Sequence, residues 1–255
     1  VWRHGDRSPE KTISLSGTNY ELLWPQGFGE ITPLGIRRMH ELGVFLRNHY
    51  PSFINDYSAR HHSFHSTDYN RTIMSAYALL SGLFPVETEH EVIPGMHWKP
   101  VPVHSDVQHD YFKCSLESSP ATEEEKAIND FFQEKNVPDS IYALWDVLRT
   151  QKIHNKSWPS WVTDNIFQKM TKINLNQKIP RQNIRLTSGH VLDGIVKRMQ
   201  EKEKNSSYPL TFYGISNHGS VMKSMLLSLG NIGRTGFSSL LMFELHKENE
   251  QYIVQ

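Results

Sequence analysis

The stretch LTFYGISNHGSVMKSMLLSLG, residues 210–230, constrains this chain most. An apolar and aromatic run from Leu210 to Ser216 reads as a buried strand. It passes through His218 straight into helical spacing over 220–230, which Gly230 closes. A buried strand leading directly into a helix is the repeating unit of an α/β fold. Open α/β sheets bind ligands at the C-terminal ends of their strands, which is where His218 falls.

The alternation recurs upstream. Val1-Trp2 reads as the end of a strand, and a long loop separates it from Thr32-Pro33, an N-cap followed by a first helical residue. Ile36, Met39, Leu42, Gly43, Leu46 and Tyr50 repeat at helical spacing and predict an amphipathic helix over 33–50. Ser66 or Thr67 is placed to cap a further helix. Ile73, Met74, Tyr77, Leu80 and Leu83 give that helix an apolar face, and Pro85 stops it. Residues 89–104 alternate loosely between prolines and read as an extended crossing. From 108 to 183 polar helical patterns take over, among them Pro120 to Glu134 behind Ser119, and Trp145, Trp158 and Trp161 concentrate there. Residues 187–202 then suit a helix with Val191, Leu192, Ile195, Val196 and Met199 inside, and SSLLMFEL with QYIVQ suits a terminal hairpin. The expectation is an α/β three-layer sandwich around a central mixed, mostly parallel sheet. Residues 1–107 and 184–255 form this core, and 108–183 form a smaller helical cap inserted in the chain.

Lys plus Arg and Asp plus Glu balance at 27 each, which favours neither nucleic acid nor an acidic membrane as partner. The sequence carries no signal peptide and no apolar run long enough to span a bilayer. Because Val1 reads as mid-strand, a segment upstream of it is expected. Cys114 is the single cysteine and permits no internal disulfide, which alone would suggest a reducing compartment. The sequons Asn70-Arg-Thr, Asn155-Lys-Ser and Asn205-Ser-Ser point the other way. Asn155 and Asn205 lie in polar, loop-like stretches and are the glycosylation candidates. The histidines of RHHSFHS, 60–66, have no Cys or acidic partners at ligand spacing, so no metal site is expected.

The opening stretch VWRHGDRSPE crowds Arg3, His4, Asp6 and Arg7 around Gly5 at the end of that first strand. Guanidinium is a planar, permanently charged fork suited to phosphate oxygens. Imidazole is a nucleophile when one nitrogen is unprotonated. Two arginines flanking a histidine therefore suit phosphoryl transfer to histidine, although the same residues would also make a solvated charge cluster on a loop.

RHGDRSP resembles the signature of the histidine acid phosphatases, the clade of the histidine phosphatase superfamily that includes prostatic and lysosomal acid phosphatases and phytases. The resemblance continues in order through WPQGFGEITPLG (24–35), STDYNRTIMSA (66–76), HWKPVPVH (97–104), WPSW (158–161) and the closing strand, and is nearest to the prostatic and lysosomal animal branch. It implies hydrolysis of phosphate monoesters, small-molecule or phosphoprotein, through a phosphohistidine and without a cofactor. His4 resembles the nucleophile. Arg3 and Arg7 resemble a phosphate clamp, and Arg71 resembles a third clamp arginine. His218 resembles the family's second histidine, a donor to the phosphoryl oxygens. Preorganised cations around the equatorial oxygens then do most of the catalytic work, with an acidic optimum.

The chain also departs from the family's pattern. The second motif is His-Asp in the family and His218-Gly219 here, so the proton donor to the leaving alcohol is replaced. Losing a general acid costs about a hundred- to ten-thousand-fold in rate, most for alkyl phosphates. The alternatives are a weak phosphatase with a relocated acid (Asp6 and Asp106 are conceivable), a degenerate paralogue that binds phosphate esters without turnover, or a substrate that needs no protein acid. His65 stands where related animal enzymes commonly have arginine. The branch is disulfide-bonded and secreted or lysosomal, so Cys114 reads as half of a bridge whose partner lies beyond Gln255, and the fragment reads as truncated at both ends. A membrane anchor stays open, as does a homodimer, the state of related animal enzymes.

Overall fold

A computed structural model describes residues 1–255 except 12, 14–18, 87–90, 106–120, 136, 138–139, 177–178, 180 and 232. Cys114 and Asp106 lie outside the described residues. The chain divides into two compact units. The first comprises Val1–Asp6, Pro33–Ser115 and Arg181–Gln255, and the second Arg7–Thr32 and Leu116–Pro180.

The first unit is built on a four-stranded sheet of β1 (Trp2–Arg3), β2 (His62–Ser66), β3 (His104–Ser105) and β4 (Phe212–Asn217), ordered β1-β4-β2-β3. Every ladder is parallel, with Trp2 opposite Ser216, His62 opposite Phe212 and His65 opposite His104. The two-residue period of a strand assigns the faces. Trp2, Phe64 and Phe212 pack with Met39 and Leu46 of α2 (Pro33–His49) and Leu79 and Leu83 of α3 (Asn70–Leu83). Val1, Tyr213 and Ile215 point the other way, onto Val191 and Ile195 of α7 (Arg181–Lys204) and Val221 and Met225 of α8 (Gly219–Ser228). Helices thus cover both faces of a parallel sheet. Helices α2 and α3 approach backbone to backbone: a Cβ on Gly43 would overlap the Leu79 carbonyl, and one on Gly82 the His40 carbonyl.

β2 falls within RHHSFHS, to which the sequence pattern assigns no element, and only Phe64 among its buried residues is apolar. Several sequence expectations shift. Helix α3 starts at Asn70 with Tyr69 as an N-cap that makes no side-chain cap bond, so neither Ser66 nor Thr67 caps it. Val196 on α7 is 48% exposed rather than inside. The terminal hairpin pairs β5 (Leu245–Glu248) with β6 (Gln251–Val254). The stretch before it runs antiparallel beside β1 instead, Trp2 opposite Leu240, with the Arg3 amide donating to the Ser239 carbonyl at 2.9 Å.

The second unit holds α1 (Tyr20–Leu23), α4 (Glu123–Glu134), α5 (Ile141–Ile153) and α6 (Asp164–Asn176). Helix α4 opens later than Pro120, with Thr122 and Glu125 forming a reciprocal capping box. Its core gathers Phe132, Leu144, Leu148 and Met170 with Ile13 and Trp24, and Trp145, Trp158 and Trp161 pack around it. Residues 7–32 therefore belong with the helices rather than with the core where the sequence reading places them, because Ile13 and Trp24 bury their side chains there. No helix among the described residues is long and apolar enough to cross a membrane.

Candidate active site

His4 follows β1 directly, and its amide donates to the Asn217 carbonyl at the end of β4, 2.9 Å away. His218 follows β4, and the Thr67 amide, just past β2, donates to Ser216 at 3.3 Å. The ends of three neighbouring parallel strands therefore converge, as strand–helix units require. Helices α3 and α8 begin beside them, and their N-terminal dipole ends favour an anion there.

The imidazole of His4 is 2% exposed. Its Nδ1 lies 2.9 Å from the Gly5 carbonyl. A carbonyl only accepts, so Nδ1 carries the proton and Nε2 of the neutral ring keeps its lone pair. The Gly5 amide donates to Ser75 Oγ at 2.9 Å, and the Ser238 amide donates to the His4 carbonyl at 3.2 Å, so the backbone on both sides of the ring is pinned. Position 5 admits no side chain, since a Cβ there would lie 2.7 Å from the Gly35 carbonyl at the start of α2.

Around His4 the structure gathers Arg3, Arg71, His218 and Gly219. The His4 and His218 rings meet edge-on at 5.6 Å. Arg71 lies over the Tyr69 ring at 4.7 Å, and its Nη2 comes within 3.5 Å of His218 Nδ1. The Arg3 guanidinium donates to the Thr235 carbonyl at 2.7 Å and covers the Phe237 ring at 4.5 Å. Phe237 also touches the His4 ring at 5.7 Å. A Cβ at position 219 would fall 2.8 Å from Arg3 Cζ and 2.9 Å from its Nε. Glycine at 219 therefore gives the Arg3 guanidinium its seat.

Arg7 is held differently. It belongs to the second unit, where it is 1% exposed and donates to both carboxylate oxygens of Asp146, at 2.8 and 3.1 Å. Glu10 makes a further ion pair with it at 3.1 Å. Burial alone would lower its pKa, but Asp146 and then Glu10 outweigh that and raise it. Both terminal nitrogens of this expected clamp arginine are thus bound to protein carboxylates. Asp146, a buried carboxylate on α5, is a residue the sequence does not single out, because its partner is 139 positions away.

Asp6 is fully buried at the end of the opening segment. His65 turns to the Tyr213 face of the sheet, within 3.0 Å of Ser63 Oγ and between the rings of His104 and Tyr213. Asn155 and Asn205 are both exposed. Thr67, Tyr69, Ser75, Thr235 and Phe237 also shape the site. The first three lie in the STDYNRTIMSA stretch, whereas nothing in the sequence distinguishes Thr235 or Phe237. A cavity of about 340 Å3 in the first unit lies at the opposite end of β4, lined by Phe212, Leu241 and Phe243, and none of the clustered residues borders it.

Residues 1–104 match the model of the histidine phosphatase superfamily (branch 2). The chain is 30% identical to the lysosomal acid phosphatase of Xenopus laevis over 98% of its own length and 65% of that protein's. It is 29% identical to the prostatic acid phosphatase of Homo sapiens, covering all of this chain and 75% of that one. This chain therefore spans less than two thirds of the Xenopus relative. The phytase of Citrobacter braakii has the same α/β fold, with a TM-score of 0.67 at 16% identity over 100% of this chain and 82% of that one.

Proposed function

We propose that the chain is an acid phosphatase acting on phosphate monoesters through a phosphohistidine at His4. The observation that carries this reading is the fixed His4 ring, whose Nδ1 lies 2.9 Å from the Gly5 carbonyl, so that Nε2 is the unprotonated nitrogen of the neutral ring, and which meets His218 edge-on. In the first step Nε2 bonds to phosphorus, and the bond to the ester oxygen breaks with its electron pair on that oxygen. In the second, water attacks phosphorus, the N–P bond breaks, and inorganic phosphate leaves with His4 regenerated. Arg3, Arg71 and His218 would hold the equatorial oxygens, where preorganised charge stabilises the transition state. Arg7, whose terminal nitrogens are bound to Asp146, is not assigned a role in this step.

Gly219 supplies no proton to the leaving alcohol. The reading is therefore of a weakened phosphatase that favours aryl esters, whose phenoxides leave without help, at acidic pH, where the monoanionic ester brings a proton. Gly219 equally motivates a second reading, a paralogue that binds phosphate esters without efficient turnover. Turnover of an aryl phosphate at about pH 5 separates the two. Vanadate binding with no turnover would establish the second. The names of the relatives and the exposed Asn155 and Asn205 favour the secretory pathway, extracellular or lysosomal, with glycosylation at those asparagines. A disulfide at Cys114 belongs to the same proposal.

A further inference from the structure

We infer that Thr67 is a positioning residue that fixes the tautomer and ring orientation of His218, so that Nδ1 is the nitrogen presented beside Arg71. This rests on the phosphatase reading of the site. The argument begins at Thr72, which is fully buried on α3 and whose hydroxyl lies 2.9 Å from both the Thr67 and Tyr69 carbonyls. Carbonyl oxygens only accept, so the Thr72 proton points at them. The Thr72 oxygen is then an acceptor for the Thr67 hydroxyl, 2.9 Å away. Having given its single proton to Thr72, Thr67 Oγ1 offers only lone pairs to its remaining neighbour, His218 Nε2, at 2.8 Å. Nε2 must therefore carry a hydrogen. Reversing the chain would set Thr72 lone pairs against two carbonyls in a buried site.

The consequence lies on the other nitrogen. With Nε2–H given to Thr67, the neutral ring turns the Nδ1 lone pair toward Arg71 Nη2, 3.5 Å away. An incoming phosphoryl oxygen can then be met by Nδ1 once the ring takes up a second proton, while Nε2 stays fixed. The Tyr69 ring, edge-on to His218 at 4.9 Å and beneath Arg71, braces both. Thr67 lies within the STDYNRT stretch, where the sequence singles out Arg71 as a cation.

The test uses the full chain with nitrogen-labelled histidine, the His218 resonances being assigned by their loss in His218→Asn. In the wild type above its titration, the neutral His218 ring should carry its proton on Nε2. In Thr67→Val this preference should be lost, and orthovanadate affinity should fall about tenfold. Thr67→Ser, which keeps the hydroxyl, should restore the tautomer and affinity to within about threefold. A wild-type proton on Nδ1 would overturn the inference even if Thr67→Val failed to fold. So would a Thr67→Val protein with wild-type tautomer and vanadate affinity. The tautomer requires no turnover, so an inactive wild type with Nε2 protonated would count against the phosphatase reading and not against the role of Thr67.

Discussion

The substitution Gly219→Asp tests the proposal that position 219 lacks a general acid for the leaving group. Its effect has opposing parts that the geometry sizes. An added Cβ would fall 2.8–3.0 Å from Arg3 Cζ, Nε and Nη1, so the guanidinium must move. Moving it disrupts a hydrogen bond to Thr235 at 2.7 Å and the contact with the Phe237 ring. Those are worth about 2–4 kcal/mol together, of which a new contact between Arg3 and the carboxylate returns most. A residual cost of about 1 kcal/mol lowers any rate roughly fivefold. Against it stands a general acid worth about a hundred- to ten-thousand-fold where the leaving group needs a proton. Alkyl phosphate turnover should therefore rise about ten- to a thousandfold, while aryl turnover stays level or falls up to about fivefold. The Arg3 charge would hold the new carboxyl below its usual range, so the gain should be greatest at low pH and fade as pH rises through that lowered value. Gly219→Asn is the control, because it imposes the same displacement without a proton. The assay is kcat/KM on an alkyl and an aryl ester for the three proteins between about pH 3.5 and 6.5. Equal alkyl rates for the Asp and Asn variants would refute the reasoning, as would an equal gain on both esters.

Other expectations follow from the same geometry. Asp146→Ala leaves the buried Arg7 charge without its bidentate partner and should destabilise the protein by about 3–5 kcal/mol in urea unfolding, whereas a loss below about 1 kcal/mol would show that the pair contributes little. The Glu244 carboxyl is held below its ordinary pKa by hydrogen bonds from Tyr50 and then His246. A depressed carboxylate contributes stability at neutral pH that is lost as pH falls through its folded pKa. The melting temperature of Glu244→Gln should thus lie below wild type at neutral pH and converge on it from about pH 5 downward, and a pH-independent gap would count against the pairing. Expressed through a secretory route, the Asn155→Gln and Asn205→Gln variants should each lose one glycan by mass, and unchanged masses would reject those sites.

Much of the first unit is legible in the sequence because its signals are local. The run into His218 and α8 is readable from apolar pattern and Gly230 alone, and Pro33 marks the start of α2. That His4 and His218 meet follows from each ending a strand, and the parallel β1–β4 register then brings them together. The misses have a common cause. Strand β2 hides in a histidine- and serine-rich run whose pairing with β4, not its own propensity, makes it a strand. Arg7 looks like a clamp beside His4, yet Asp146, placed by α5 far along the chain, determines where its guanidinium goes. Thr67 reads as a helix cap by local grammar and instead serves His218. The seat of Arg3 depends on Thr235 and Phe237, in a loop without periodicity or motif.

The central claim is that His4 Nε2 takes the phosphoryl group. Rapid acid-free quench of the protein during reaction with a radiolabelled aryl phosphate, followed by mapping of the label, tests it most directly. Label on Nε2 of His4, abolished in His4→Ala with turnover down roughly a thousandfold or more, is the expected result. Label that persists in His4→Ala, or that maps to another residue, would contradict the account.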